Sequence, residues 1–187
     1  MNLKILCKSG GAQGADTVFG RCAEAAGHEV WHYTFDDHNA HADNGILKFL
    51  TPTELMQADA FLLRANKSLK RTFPAKSLFV NNLLRRDYWQ VRETYAVYAV
   101  AMLEDQHHMP TGGSAWAIQM AVDLRVPDIF LFDQLSNHWY QYLYSLHGWE
   151  ILLPIDVIKP KFQSIYTGIG TRGLTAKGYA AIEELYK

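Results

Sequence analysis

Three short glycine-rich loops constrain the fold of this chain more than any other feature, because each follows an apolar run and precedes a helical pattern. They are Ser9-Gly10-Gly11-Ala12-Gln13-Gly14-Ala15-Asp16, Thr111-Gly112-Gly113-Ser114-Ala115-Trp116 and Thr167-Gly168-Ile169-Gly170-Thr171-Arg172. A strand that turns through glycine into a helix leaves free backbone N–H groups at the positive end of the helix dipole, where anions and above all phosphates bind. Three such loops in 187 residues predict an α/β domain that holds a nucleotide-like ligand.

Predicted strands and helices alternate along the chain. The strands are expected at 3–8, 29–35, 60–64, 95–103, 127–133 and 164–167, and the helices at 14–26, 83–94, 114–124 and 175–186, with a further helix start at Thr51. An irregular loop is expected over 65–82, and the aromatic stretch 136–150 is left unassigned. This alternation predicts a Rossmann-like, doubly wound, mainly parallel sheet with helices on both faces. Without a linker or repeat, residues 1–187 are expected to form a single domain.

Composition narrows the class of protein. With 49% apolar and 20% charged residues, a sizeable core is expected. The net charge of −1 and the lack of a basic block argue against a general nucleic-acid binder. Cys7 and Cys22 do not form a metal-ligand spacing, so they are expected to pack as apolar residues in a reducing compartment. No signal peptide or apolar run long enough for a membrane span is found, which predicts a cytoplasmic protein.

The first loop offers several ligand contacts. Gly10 and Gly11 would let a phosphate approach the main chain, with Ser9 and Gly14 completing the turn. Asp16 would either hold a ribose hydroxyl or act as a favourable charge in the first turn of the next helix. Gln13 would either contact a ligand or face solvent.

The second loop would bind an anion through the amides that follow Gly112 and Gly113. Ser114 would serve as helix cap or donate its hydroxyl to a phosphate. Trp116 would either stack on a base or pack beneath the sheet.

The third loop contains Gly168 and Gly170 and ends in Arg172, a planar cation suited to bidentate phosphate contacts, beside Thr171, a second donor. Asp133 ends a predicted strand at the edge where ligands bind in such sheets, and it would contact a ribose or a base edge.

A polar stretch between residues 36 and 45 and the pair His107-His108 are the candidates for a metal site. His32, His38 and His41 lie near three aspartates in the polar stretch, but their spacing matches no zinc pattern, and the same objection applies to the histidine pair. A solvated loop is the favoured interpretation, so no metal and no cofactor are expected.

The first loop resembles the Gly-Gly-Ala-Arg-Gly-Ala-Asp signature of the SLOG superfamily. These Rossmann-like proteins include the LOG nucleotide phosphoribohydrolases, DprA, molybdenum-cofactor carriers and nucleotide-sensing domains. The third loop is similar to the Gly-Ser-Arg loop that follows the first strand of that fold, although here it comes last. The resemblance therefore implies a circular permutation. Its layout is also associated with phage-encoded proteins.

The second loop departs from the LOG pattern. LOG enzymes carry a Pro-Gly-Gly-x-Gly-Thr-x-x-Glu loop whose Glu acts in cleaving the N-glycosidic bond, whereas Gln119 stands at that position here. An amide cannot act as a general base or stabilise an oxocarbenium ion as a carboxylate does. The arginine that precedes this loop in LOG enzymes would correspond to Arg85 or Arg86. The resemblance thus implies binding rather than LOG-type hydrolysis.

Three functions follow from these observations. The favoured one is binding of a nucleotide or nucleotide-derived signal, with sequestration of a host immune nucleotide if the source is a phage. The second is an N-glycosidase or phosphoribohydrolase that uses another carboxylate such as Asp16 or Glu93. The third is a protein-interaction module that uses its aromatic C-terminal third. That aromatic region, which includes Trp139 and Trp149, also makes a homo-oligomer the expected state.

Overall fold

The computed structural model describes residues 5–105, 108–152, 159 and 165–187. The strands are β1 Leu6–Ser9, β2 Glu29–Thr34, β3 Ile46–Phe49, β4 Ala96–Ala101, β5 Asp128–Asp133, β6 His138–Leu143, β7 Gly148–Leu152 and β8 Ile165–Gly170. The helices are α1 Ala15–Ala25, α2 Pro52–Met56, α3 Asp59–Leu69, α4 Leu78–Val91, α5 Ser114–Asp123 and α6 Ala176–Glu184.

All eight strands form one sheet in the order β3-β2-β1-β8-β4-β5-β6-β7. The pairs from β3 to β5 are parallel, and β6 and β7 are added as antiparallel strands. The strand nearest the C-terminus, β8, lies between β1 and β4. The predicted Rossmann-like, mainly parallel fold is confirmed.

Helices cover both faces of the sheet, as the near-continuous apolar sequence of β4 requires. Val97, Ala99 and Ala101 pack in one core with α3, α4 and α5. The alternate residues Tyr98 and Val100 pack in a second core with α1 and α6. Since side chains alternate along a strand, a strand buried on both faces must be apolar throughout.

The strand predicted at 60–64 is wrong, because this segment lies within α3. Leu62 and Ala65 are buried whereas Leu63 and Arg64 are exposed, which is the periodicity of an amphipathic helix. The predicted loop over 65–82 is therefore shorter than expected. Helix α3 continues to Leu69, and α4 begins at Leu78, where the Ser77 hydroxyl accepts a hydrogen bond from the N–H of Val80.

Three further regions differ from expectation. The unassigned stretch 136–150 contains the antiparallel pair β6–β7, and its aromatic residues Trp139, Tyr140, Tyr142 and Trp149 are buried within the chain. Residues 168–170 belong to β8 and not to a loop. Strand β3 was not expected, since its exposed side chains give no burial pattern. No helix within the described ranges is long and apolar enough to cross a membrane.

Candidate ligand-binding cleft

The three glycine segments meet at the carboxyl ends of β1, β8 and β4. They enclose a cleft of ≈ 390 Å³ together with the N-terminal half of α4. The residues that line it are Ala12, Asp16, Val80, Leu83, Leu84, Arg86, Asp87, Ala101, Met102, Thr111, Gly112, Gly113, Ser114, Ile169, Gly170, Thr171 and Arg172. Open α/β sheets bind ligands at this edge, where the strand order changes direction.

A buried ionic cluster forms the floor of the cleft. Arg86 Nη2 lies 3.1 Å from Asp87 Oδ1 and 3.9 Å from Asp16 Oδ2. Arg86 Nη1 donates to the carbonyl oxygen of Gly10 at 3.1 Å, and Asp16 Oδ1 accepts the N–H of Gly170 at 3.1 Å. All three charged side chains are buried. The cluster therefore ties α1, α4 and β8 together beneath the ligand cavity.

Burial shifts the titration of both carboxyl groups in this cluster. It raises the pKa of Asp87 to about 7, against the opposing effect of the Arg86 cation. Burial also raises the pKa of Asp16, while Arg86 and the N–H of Gly170 offset part of that rise. Two carboxyl groups that share one cation in a desolvated site favour retaining a proton. Both carboxyl groups of the floor therefore retain a proton to higher pH than an exposed carboxyl group does.

His38 packs against this cluster as a neutral imidazole. Burial, together with the positive charges of Arg86 and Arg172, lowers the pKa of His38 to about 4. Its Nε2 lies 3.1 Å from Arg86 Nη1, and its Nδ1 lies 2.9 Å from Thr34 Oγ1. Because a guanidinium can only donate, Nε2 accepts and Nδ1 carries the proton. No group that could hold a metal ion is found among the described residues, including the histidines of this loop.

Internal packing accounts for several of the loop glycines. A Cβ on Gly10 would lie 2.6 Å from both Arg86 Cζ and Asp16 Oδ2. Gly14, at φ +100°, faces the backbone of Thr171 and Arg172, and a Cβ on Gly168 would meet the ring of Phe19. A Cβ on Gly170 would meet the carbonyl of Val100. At these positions glycine lets protein segments approach one another.

The second loop is different, because a Cβ on Gly112 or Gly113 would meet no atom within 4 Å. Gly112 has φ +77°, which favours glycine on backbone grounds. Gly113 has the helical angles φ −67° and ψ −36°, so neither strain nor packing requires glycine there. It is the N-cap of α5 and receives no side-chain cap. The N-terminus of α5 therefore lines the cleft without a side-chain cap.

Arg172 is the accessible cation of the cleft. Its side chain is exposed, and no described residue forms an ion pair or hydrogen bond with it. On the opposite side, Val80, Leu83 and Met102 provide an apolar wall, and Val80 and Met102 are 40% and 43% exposed. The cleft thus joins a positively charged edge to an apolar surface.

Several predicted site residues do not line this cleft. Ser9 is buried and donates to the carbonyl oxygen of Asp16 at 3.1 Å. Arg85 forms a bidentate pair with Asp59 on α3. Trp116 is buried in the core near Phe73. Each of these side chains has a structural partner inside the protein.

Asp133 and the remaining glycine-loop residues lie nearby but outside the cleft. Asp133 accepts the N–H groups of Leu103 and Ser136, each at 2.8 Å. Burial alone would raise the pKa of Asp133, but these hydrogen bonds hold that pKa below its ordinary value. Gln13 and Gly14 line a shallower groove on the other side of Arg172, and the carbonyl of Gly11 accepts the N–H of His41.

Gln119 lies away from the cleft, on the second turn of α5. Its Nε2 donates to Asp123 Oδ1 at 2.9 Å, and it lines a separate cavity. A side chain at this position of α5 therefore does not reach the floor formed by Asp16 and Asp87.

Sequence reasoning missed the apolar wall of Val80, Leu83 and Met102, and it missed two polar residues, Asp87 in the floor of the cleft and His38 beside it. Asp87 directly follows Arg86, which the sequence analysis includes among the site residues. The available signal for Asp87 was a charged residue on the buried side of an amphipathic helix. His38 was considered only as a metal ligand, and its contact with Arg86 depends on a loop whose path has no sequence signature.

No model of a known protein family and no curated protein matches this sequence. Among solved structures, the crystal structure of a proposed molybdenum carrier protein from Syntrophus aciditrophicus is similar. The TM-score is 0.53 at 14% sequence identity, and the match covers 98% of this chain and 93% of that chain. This similarity shows that the two chains share a fold.

Proposed function

We propose that the cleft binds a nucleotide or a nucleotide-derived molecule and holds it without cleavage. The observation that carries this proposal is the uncapped N-terminus of α5, where Gly113 lines the cavity and neither packing nor backbone strain requires glycine. Helix N-termini of this kind bind phosphate groups. The unpaired guanidinium of Arg172 lines the same cavity and supplies a positive charge that complements the negative charge of a phosphate group.

The remaining parts of a nucleotide match the rest of the lining. A phosphate would accept hydrogen bonds from the amides at Ser114 and from Arg172. The Asp16 carboxyl group would contact a ribose hydroxyl, and the base would lie on the apolar wall formed by Val80, Leu83 and Met102. The ≈ 390 Å³ volume is within the range of small-molecule sites.

The strand order supports membership of the SLOG superfamily in a circularly permuted form. If counting begins at β8 and the edge strand β3 is left out, the strands β2, β1, β8, β4 and β5 lie in the order 3-2-1-4-5, which is the order of a doubly wound dinucleotide-binding sheet. The third glycine segment then follows the first strand, as in the family. A phage source, and with it sequestration of an immune signal, rests on the resemblance alone.

A hydrolytic function has one specific observation in its favour. Asp87, with a pKa near 7, lies beside Asp16 in the floor of the cleft, and a glycosidase needs a carboxyl group that holds a proton at neutral pH. Glu93, the other carboxylate considered, is exposed and pairs with Arg92. Hydrolysis would therefore depend on the Asp16–Asp87 pair.

The interaction-module alternative loses its main support, since Trp139, Tyr140, Tyr142 and Trp149 are buried within the chain. A homo-oligomer and a cytoplasmic location stay predictions. Exposed apolar residues occur on several other elements, among them β3, where Phe49 is 63% exposed.

Native mass spectrometry followed by heat release tests the proposal. Nucleoside monophosphates, ADP-ribose and cyclic dinucleotides would be added in turn, and any bound species identified after release. We expect a nucleotide released unchanged, with binding about tenfold or more weaker in Arg172→Gln, since a charge-assisted contact contributes about 1.5–3 kcal/mol.

Arg21→Gln is the matched control, because Arg21 forms an exposed pair with Asp43 outside the cleft. It should bind like the wild type. Release of free base with sugar phosphate would establish hydrolysis instead. If none of the tested ligands is found bound to the protein, the proposal of nucleotide binding is overturned.

A further inference from the structure

The arginines of the described chain fall into two sets according to their partners. Arg21, Arg85, Arg86 and Arg92 each form an ion pair with a carboxylate. Arg64, Arg71, Arg125 and Arg172 have no carboxylate within ion-pair distance among the described residues. Arg172 lines the cleft, and the other three line one second cavity. The arginines that lack a counter-charge are thus confined to two cavities.

The second cavity, which we call the rear pocket, has a volume of ≈ 560 Å³. It lies between the C-terminal parts of α3 and α5 and the β6–β7 hairpin, and its lining includes Arg64, Ser68, Arg71, Arg125, Tyr142 and Tyr144. It shares no lining residue with the cleft. Its volume is in the range of sites for small organic ligands.

Two of the three guanidinium groups are held in place by uncharged partners. Arg125 lies 5.0 Å from the ring centroid of Tyr144, and the Tyr144 hydroxyl donates to the carbonyl of Val126 at 2.7 Å. Arg71 donates to the carbonyl of Gly112 at 2.6 Å. These contacts orient the side chains without neutralising their charge.

The carboxylate that lines the rear pocket does not balance this charge. Asp123 Oδ1 accepts a hydrogen bond from Gln119, and Asp123 Oδ2 is buried without a hydrogen-bond partner. Burial raises the pKa of Asp123, and the hydrogen bond from Gln119 and the positive charge of Arg64 offset part of that rise. Three guanidinium groups therefore face one carboxyl group, in a chain whose net charge is −1.

We propose that the rear pocket is a second ligand site, which binds a small organic phosphate carrying at least two negative charges. The planar forks of Arg64, Arg71 and Arg125 match phosphate oxygens in geometry and charge. The Tyr142 and Tyr144 side chains provide an aromatic side against which the organic part of the ligand packs. This site is separate from the cleft and does not depend on nucleotide binding there.

Calorimetric titration with inorganic pyrophosphate tests this site. The measurement is made first in Arg172→Gln, so that the cleft contributes as little as possible, and then in the same protein carrying Arg64→Gln and Arg125→Gln. We expect one pyrophosphate per chain in the first protein and binding at least about tenfold weaker in the second. Arg71 is left unchanged, because its loss would also release the carbonyl of Gly112.

Arg21→Gln in the Arg172→Gln background is the control for removal of an exposed positive charge, and it should retain the affinity. If the triple variant does not fold, as judged by its circular dichroism, Arg64→Gln alone replaces it. Equal affinity with and without Arg64 and Arg125, or no binding in Arg172→Gln, would overturn the rear site. Either result leaves the nucleotide proposal for the cleft unaffected.

Discussion

The carboxylate of Asp16 accepts the N–H of Gly170 at 3.1 Å, which joins two glycine segments that are 154 positions apart in the sequence. The same carboxylate faces Arg86 on α4. Asp16 is therefore the point at which α1, α4 and β8 meet. The contribution of its hydrogen bond to stability can be measured separately from that of its charge.

Asp16→Asn should cost less stability than Asp16→Ala. The amide oxygen of Asn still accepts the N–H of Gly170, and burial already disfavours the charged form of Asp16. Ala leaves that N–H without its side-chain acceptor and creates a cavity, at a cost of about 2–4 kcal/mol. Urea unfolding of both variants measures the difference. Equal losses would show that the charge of Asp16, and not its hydrogen bond, stabilises the site.

Asp87 should make folding less favourable as the pH rises towards neutrality. Its pKa is about 7 in the folded chain against an ordinary value of 3.8, so the folded state holds more protons between these values. Its contribution is therefore greatest below pH 4 and is lost as the pH approaches 7. The upper limit is about 4 kcal/mol, at about 1.4 kcal/mol for each pKa unit.

The measurement is the free energy of unfolding of the wild type minus that of Asp87→Asn, from pH 4 to pH 8. This variant is suitable because Asn can still accept the hydrogen bonds from Arg86 and Gln90. The difference should fall with pH and become constant above about pH 7. A difference that does not change with pH would contradict the assignment.

His38 should produce the opposite pH dependence. Its pKa is about 4 in the folded chain and 6.5 ordinarily, so the unfolded state binds the proton more readily. Its contribution is present above pH 6.5 and is lost as the pH falls to 4. His38→Gln retains an acceptor for Arg86 but cannot be protonated. The wild type should therefore lose stability on acidification relative to this variant, and parallel curves would show that His38 does not face the Arg86 cation.

Gly10→Ala and Gly113→Ala should separate packing from ligand binding. The first places a methyl group 2.6 Å from Arg86 Cζ and should destabilise the fold by about 1–3 kcal/mol. The second meets open space and should change stability by less than about 0.5 kcal/mol, while weakening nucleotide binding. Thermal unfolding and ligand titration of both proteins provide the comparison. A destabilised Gly113→Ala would mean that this glycine is structural.

The sequence predicted the sheet better than the site, for physical reasons. Apolar runs such as 95–103 and glycine turns are local patterns, and they led to the right fold class. Helix α3 was mistaken for a strand because Phe61, Leu62 and Leu63 form a short apolar run, which periodicity alone does not assign. The buried and exposed faces of that segment become clear only from its packing against α5.

The site depended on contacts between distant segments. Gly10 was interpreted as a contact for phosphate, whereas it lies against the Arg86 side chain. No local pattern indicates that Arg86 rather than Arg85 turns inward, since two adjacent residues of a helix point in different directions. Arg172 and the second loop were predicted from sequence as phosphate contacts. Their open environment in the structure supports this prediction.

The position of β8 has a consequence for the order of assembly. β1 and β4 do not pair with each other, so the group β3-β2-β1 and the group from β4 to β7 are hydrogen-bonded into one sheet only through β8. During synthesis, the two groups cannot be hydrogen-bonded into one sheet until residues 165–170 have emerged from the ribosome. The closing of this sheet is therefore a late event of high contact order, and the ligand cleft, which needs Gly170 and Arg172, forms only with it.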